Sequence, residues 1–173
     1  MKKVLLLLAS AIAFSAVGFT QKGHNQIGVA FEVGIPTGDF GTYSKTGFGG
    51  SVRGLFGIGT AGQITFTTGY TSFKFKDFDA HSSIIPLLAG YRHNFSGFFV
   101  EPQIGYGIYG TKVSGGESSS DGAFTWAVGA GYAMNGFEGG VRYQSASKNG
   151  SSLGLVGIHV GYNFTLGGAT ASK

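Results

Sequence analysis

The sequence contains no cysteine, only 3 prolines, and few charges: 12 Lys and Arg against 8 Asp and Glu, or 12% of residues. Each scarcity excludes something. Without Cys there is no disulfide scaffold, no thiolate metal site, no Cys nucleophile and no cysteine-linked lipid anchor. Soluble domains are about a quarter charged, so this chain cannot cover a water-facing surface in the ordinary way. Long apolar runs are missing too. After the N-terminus nothing approaches the ~18 continuous apolar residues of a membrane helix. What abounds instead is glycine, 33 of 173 residues, with 16 Phe and 8 Tyr and an apolar content of 42%. An interior Gly costs a helix about 1 kcal/mol relative to Ala, so this composition favours strands.

Lys2-Lys3 followed by Val4 to Ala13 has the form of a secretory signal, a basic start and a short apolar run, with small residues at Ala16 and Gly18. The expected division is a signal peptide at 1–20 cleaved after Thr20, a barrel domain at 21–166 and a short periplasmic tail at 167–173. Loss of Lys2 and Lys3 lowers the formal net charge from +4 to +2. No basic run then remains for nucleic acid.

Between Gln26 and Leu166 the sequence reads as eight short segments of alternating character. The clearest is the last, Ser152 to Leu166. Val156, Ile158, Val160, Tyr162, Phe164 and Leu166 share one face, while Leu155, Gly157, His159, Gly161, Asn163 and Thr165 share the other. The earlier segments are Gln26 to Ile35, Phe48 to Ile58, Gln63 to Phe75, Ser83 to Asn94, Phe99 to Tyr109, Ala123 to Met134 and Phe137 to Ser147. Short connections at 59–62, 95–98 and 134–136 alternate with longer polar ones at 36–47, 76–82, 111–122 and 148–151. Pro36 to Gly41 is dense in turn formers, residues 115–122 have a loop composition, and Asn135-Gly136 is a hairpin signal. Two irregularities are expected. Phe73 and Phe75 share a face out of phase with Tyr70, which predicts a bulge near Thr71-Ser72. Pro102 cannot donate to a ladder and predicts a bulge or register shift.

Small and polar groups opposite an aliphatic and aromatic face predict an inside-out sheet, with the apolar side in lipid. The fold class expected is all-β: an eight-stranded antiparallel up-and-down transmembrane β-barrel. Two aromatic girdles follow, with Tyr91, Phe95, Phe98, Tyr132, Phe137 and Phe164 at one rim and Tyr70, Phe73, Phe75, Tyr109, Phe124 and Trp126 at the other. The apolar face holds no Lys, Arg, Asp or Glu, and His93 is its only titratable group other than tyrosine. The opposite face holds Glu32, Glu101 and Glu138 with Arg53, Arg92 and Arg142, a balanced interior charge network. Arg92 and Glu101 lie symmetrically about the 95–98 turn, so hairpin register places them side by side.

Eight strands enclose just enough space for side chains, and paired charges satisfy each other where water is scarce. A structural plug is therefore the expected role of the six. His159 projects inward near Glu138. His24, His81 and His93 show no ligand spacing, so no metal and no cofactor are expected. His81-Ser82-Ser83 is the one His/Ser cluster and does not make a catalytic constellation, so no catalytic residue and no enzymatic activity are expected. Loop charges, five acidic against five basic, suggest no directional field.

With the strands placed, the chain resembles the small eight-stranded outer-membrane barrels of the OmpA/OmpX type. Pro36-Thr37-Gly38-Asp39-Phe40 looks like a loop motif of that family. His159, Gly161, Phe164 and Leu166 match the spacing of its C-terminal assembly signal, although here seven residues follow. The resemblance implies a Gram-negative outer-membrane location with both termini periplasmic and a role in envelope structure or surface interaction. It implies contact with outer-membrane lipids and, during biogenesis, with the barrel-assembly machinery, the external partner being undefined. A narrow channel and a lipid-modifying enzyme are the rival functions.

Overall fold

The computed structural model describes residues 25–76, 80–113, 118–148 and 151–166. The expected signal peptide and its cleavage site, His24 and the tail at 167–173 lie outside these residues. Eight strands, β1 (Gln26–Thr37), β2 (Gly47–Ile58), β3 (Gly62–Lys74), β4 (Ala80–Phe95), β5 (Phe98–Val113), β6 (Ser118–Met134), β7 (Phe137–Lys148) and β8 (Ser151–Thr165), pair in sequence order. Every pairing is antiparallel, and β8 returns to β1 from Gln26↔Thr165 to Thr37↔Gly154, which closes the barrel. Closure leaves no sheet edge unpaired.

The short connections are tight because their residues accept positive φ. Ser96 and Gly97 (φ 51° and 101°) and Asn135 and Gly136 (φ 53° and 86°) have the two left-handed positions of a hairpin turn whose twist matches the flanking strands. At the other rim the strands run longer than the sequence suggests. Ser118 to Gly122 is paired strand rather than loop, held by Ile108 to Lys112 of β5. Likewise Ala80 to Ser82 pairs with β5. Polar side chains do not oppose strand formation there, because β5 supplies backbone partners along one side.

Three further expectations are corrected. Pro36 does not end β1, which continues to Thr37 and leads into a short helix α1 (Asp39–Tyr43). There is no bulge at Thr71-Ser72. Thr68↔Leu87 and Thr71↔Ile84 keep one register, so the alternation of β3 runs on unbroken and Phe73 turns inward, with 0% of its surface exposed. Pro102 causes neither bulge nor shift. The β4–β5 ladder skips Tyr91 and Arg92 and resumes in the same register, while β5 stays paired to β6 through Pro102↔Val128. One continuous neighbour is enough to hold the strand straight.

Lipid-type and core-type surfaces are inverted relative to a soluble barrel. Phe31, Phe48, Phe66, Ile104, Val128 and Val160 are among the large apolar side chains exposed on the outer wall. The interior is mostly polar, and its one apolar cluster, Phe73, Ile84 and Leu155, sits at the long-connection end with Phe40, Tyr109 and Leu153 against it. Phe40 of α1 meets Phe73 edge-on at 5.3 Å between ring centroids. The Lys76 ammonium donates to the Gly41 carbonyl at 2.7 Å and ties the helix to the end of β3. Tyr109 and Phe73 thus belong to an inner cap and not to an outer aromatic girdle.

Candidate functional site

The inward positions of β1, β2, β4, β5 and β7 carry Glu32, Arg53, Arg92, Glu101, Glu138 and Arg142, all buried inside the barrel. Five of the six stand across from glycine on an adjacent strand. Glu32 lies beside Gly49, Arg53 beside Gly28, Glu101 beside Gly129, Arg142 between Gly129 and Gly157, and Glu138 beside Gly161. A Cβ at Gly28 would meet the Asn163 side chain and one at Gly49 or Gly161 the neighbouring strand, so these glycines let the strands and the polar network approach closely.

Glu138 is the hub. Its carboxylate accepts from Arg53, from Arg92 (2.5 and 3.2 Å) and from the Asn163 amide (2.9 Å), and it lies 3.1 Å from the His159 ring nitrogen Nε2. Glu101 accepts from Arg92 (2.6 and 2.9 Å), the Thr65 hydroxyl (2.7 Å) and the Gln103 amide (2.8 Å). Arg92 is 1% exposed, and its guanidinium also stacks over the Phe99 ring at 3.7 Å. A second pair, Arg142 to Glu32, is 3.1 Å long. Three guanidinium groups face three carboxylates, with the lone pairs of Glu101 and Glu138 taken up by several donors. Such saturation is what makes charge tolerable at low dielectric. A cavity beside the hub, lined by Arg53, Glu138, Gly161 and Asn163, has a volume of about 10 Å³, about the space of one water.

At the opposite end, a half-open cavity of roughly 400 Å³ lies between α1 and the ends of β5 to β8. Phe40, Tyr43, Tyr109 and Leu153 line it, with Asp39 and Asp121. Nothing in the strand alternation announces this mouth, because it depends on α1, whose five residues read as a turn.

The residues of the C-terminal motif divide between the two faces. His159 and Gly161 point inward, Phe164 packs outward on the Tyr162 ring (4.9 Å), and the Leu166 N–H donates to the Asn25 carbonyl (2.7 Å). His93 is on the outer wall against Tyr91 and Phe95. His81, Ser82 and Ser83 alternate faces, so they do not converge on a common substrate position. Among the described residues no group of three His, Cys, Asp or Glu is placed to hold a metal.

No protein-family model and no curated protein sequence matches the chain. Solved structures do match. Ail, the attachment invasion locus protein of Yersinia pestis, determined in complex with the heparin analogue sucrose octasulfate, superposes with a TM-score of 0.62 at 14% identity, covering 83% of this chain and 100% of Ail. Neisserial surface protein A gives 0.61 at 16% identity over 82% of this chain and 97% of its own. The N-terminal β-barrel domain of Pseudomonas aeruginosa OprF gives 0.59 at 15% identity, over 83% and 100%. This chain thus has the fold of the small eight-stranded outer-membrane barrels.

Proposed function

We propose that the protein is an integral outer-membrane barrel with a closed interior, which serves envelope structure or surface interaction through its external rim. The observation that carries this reading is the pairing of an apolar outer wall with an interior of paired charges. Among the described outward-facing strand residues no carboxylate occurs, as a lipid-facing charge at mid-depth costs about 2–4 kcal/mol. The fold shared with Ail, Neisserial surface protein A and the OprF barrel supports the same location. The tight turns and both chain ends would then face the periplasm, with α1 and the half-open mouth outside. No catalytic residue is assigned.

The interior network serves as a plug. The charges brace opposite walls, and the apolar cap closes the external end. The channel alternative requires a continuous water path, and the burial of all six charges around a cavity of only about 10 Å³ argues against one. Planar-bilayer recording tests the point. The wild-type barrel is expected to give no steady single-channel steps. Steps that change in size on Arg53→Ala or Arg142→Ala would overturn the plug. Heat-modifiable gel mobility in detergent is expected; a monodisperse protein in plain buffer would sink the membrane reading altogether.

A further inference from the structure

The outer wall of β3, β4 and β5 changes character in steps towards the mouth. Register aligns outward residues into rungs: Phe66–Ala89–Ile104, then Thr68–Leu87–Tyr106, Tyr70–Ile85–Ile108, Ser72–Ser83–Gly110 and finally Lys74–His81–Lys112. Two rungs are wholly apolar, the one between them is broken only by Thr68, the fourth is small and polar, and the last is basic throughout. Lys45 extends that last rung by one position, because its N–H donates to the Lys74 carbonyl at 2.8 Å. All four basic side chains are exposed, and among the described residues none of them forms an ion pair. Lys76, by contrast, is engaged with the Gly41 carbonyl.

The charges are also segregated around the barrel. Towards the mouth the outward positions of β1, β6 and β7 include Thr37, Ser120 and Ser147. The described carboxylates are elsewhere, three in the interior and Asp39 and Asp121 at the mouth cavity. Among the described loop charges the lysines of this wall thus stand apart from the acids at the mouth, while Glu117 and the Lys148 side chain lie outside the described residues. Asp77 and Asp79 belong to the β3–β4 connection outside the described residues.

Height decides what such a row meets. Four residues separate the Tyr70–Ile85–Ile108 rung from the basic one, and at about 3.4 Å per residue and a tilt near 45° that is roughly 10 Å along the membrane normal. Head-group layers occupy about 5–8 Å beyond the hydrocarbon on each side. Lysine stems can lie along apolar surface while the ammonium reaches the polar layer. Counted from the Tyr70–Ile85–Ile108 rung, the basic positions stand at the outer edge of the head-group layer, and their stems bring the ammonium groups to the lipid phosphates, on the wall and not on the loop tips.

We propose that Lys45, Lys74, His81 and Lys112 form a one-sided docking rung for the phosphates of a phosphorylated lipid of the outer leaflet. The proposal rests on the membrane reading above. Three lysines and a histidine stand side by side across neighbouring segments, and lysine binds phosphate as a point charge without demanding a fixed geometry. A soluble polyanion approaching from outside would first meet the mouth, whose described lining carries Asp39 and Asp121 and no basic residue.

The test uses the full mature chain inserted in phosphatidylcholine nanodiscs doped with lipid A, either bisphosphorylated or with its phosphates removed. Lipid retained on the barrel is counted by native mass spectrometry across a salt series. The wild type is expected to retain bisphosphorylated lipid A in preference to the dephosphorylated form, less so as salt rises. Each Lys near a lipid surface contributes a factor of about five, so the triple variant Lys45→Gln/Lys74→Gln/Lys112→Gln is expected to lose affinity on the order of a hundred-fold. The matching Lys→Arg triple is expected to keep it. Equal retention of both lipids by a properly inserted wild-type barrel would overturn the rung and leave the membrane reading intact. So would competition at equal affinity by sucrose octasulfate on lipid-free protein, which would identify a soluble polyanion site. Failure of the wild type to insert at all would remove both readings.

Discussion

Arg92 on β4 and Glu138 on β7 are bound to each other across the barrel interior although their strands are not neighbours. Removing one of them leaves the other's charge buried. Glu138→Gln, which leaves Arg53 without its carboxylate and Arg92 with Glu101 alone, is expected to cost on the order of 3–5 kcal/mol. Urea unfolding of the barrel in lipid vesicles measures this; a loss under about 1 kcal/mol would show that the hub is hydrated and dispensable.

The Arg142–Glu32 pair has fewer partners and offers a cleaner cycle. Arg142→Leu and Glu32→Leu are each expected to be strongly destabilising, and the double variant milder than either single, since apolar replacement of both charges removes the desolvation cost. Additive losses in the same unfolding assay would mean that the two do not compensate each other.

Phe73 and Phe66 lie on the same strand but on opposite faces. Phe73→Ala empties the inner cap and is expected to cost about 3–5 kcal/mol. Phe66→Ala, on the exposed outer wall, is expected to cost distinctly less because lipid chains fill the space it vacates. Equal losses would contradict the inward assignment of Phe73.

The glycines separate in the same way. A Cβ at Gly161 would strike the Val29 carbonyl and lie 2.7 Å from Ala30 Cβ, whereas at Gly157 the nearest atom would be the Arg142 carbonyl at 3.7 Å. Gly161→Ala should therefore slow or prevent folding into vesicles. Gly157→Ala should be neutral or stabilising by up to about 1 kcal/mol through the unfolded chain. The reverse order would point to a different register at the β8–β1 seam.

Trp126 is the only tryptophan, and it points outward on β6 against Tyr143. Brominated acyl chains are expected to quench its fluorescence in vesicles. An unquenched spectrum from folded protein would place this wall against protein or water.

The strand count, the faces and the Arg92–Glu101 pairing were legible because a period of two and a hairpin register need only local information. Phe73 was not. Near the mouth the outward face of β3 turns polar with Ser72 and Lys74, so an apolar ring no longer marks the lipid side, and Phe73 fits inside because Gly34 and Gly47 lie beneath it. That fit depends on strands distant in sequence. The reach of Arg92 to Glu138 is equally non-local, as is the short helix that Phe40 anchors. The basic rung escaped a count of loop charges because its meaning lies in which lysines share a register, a property of the closed sheet.

The seam between β1 and β8 has a consequence for synthesis. Every backbone partner of β1 on that side comes from the last strand to be made. Until residues 151–165 arrive, any partial sheet carries two open edges, whose unpaired amides and carbonyls hydrocarbon cannot satisfy. The chain therefore cannot enter the bilayer hairpin by hairpin on its own. Either it inserts only after the last strand is complete, or something else lends a temporary strand to each edge.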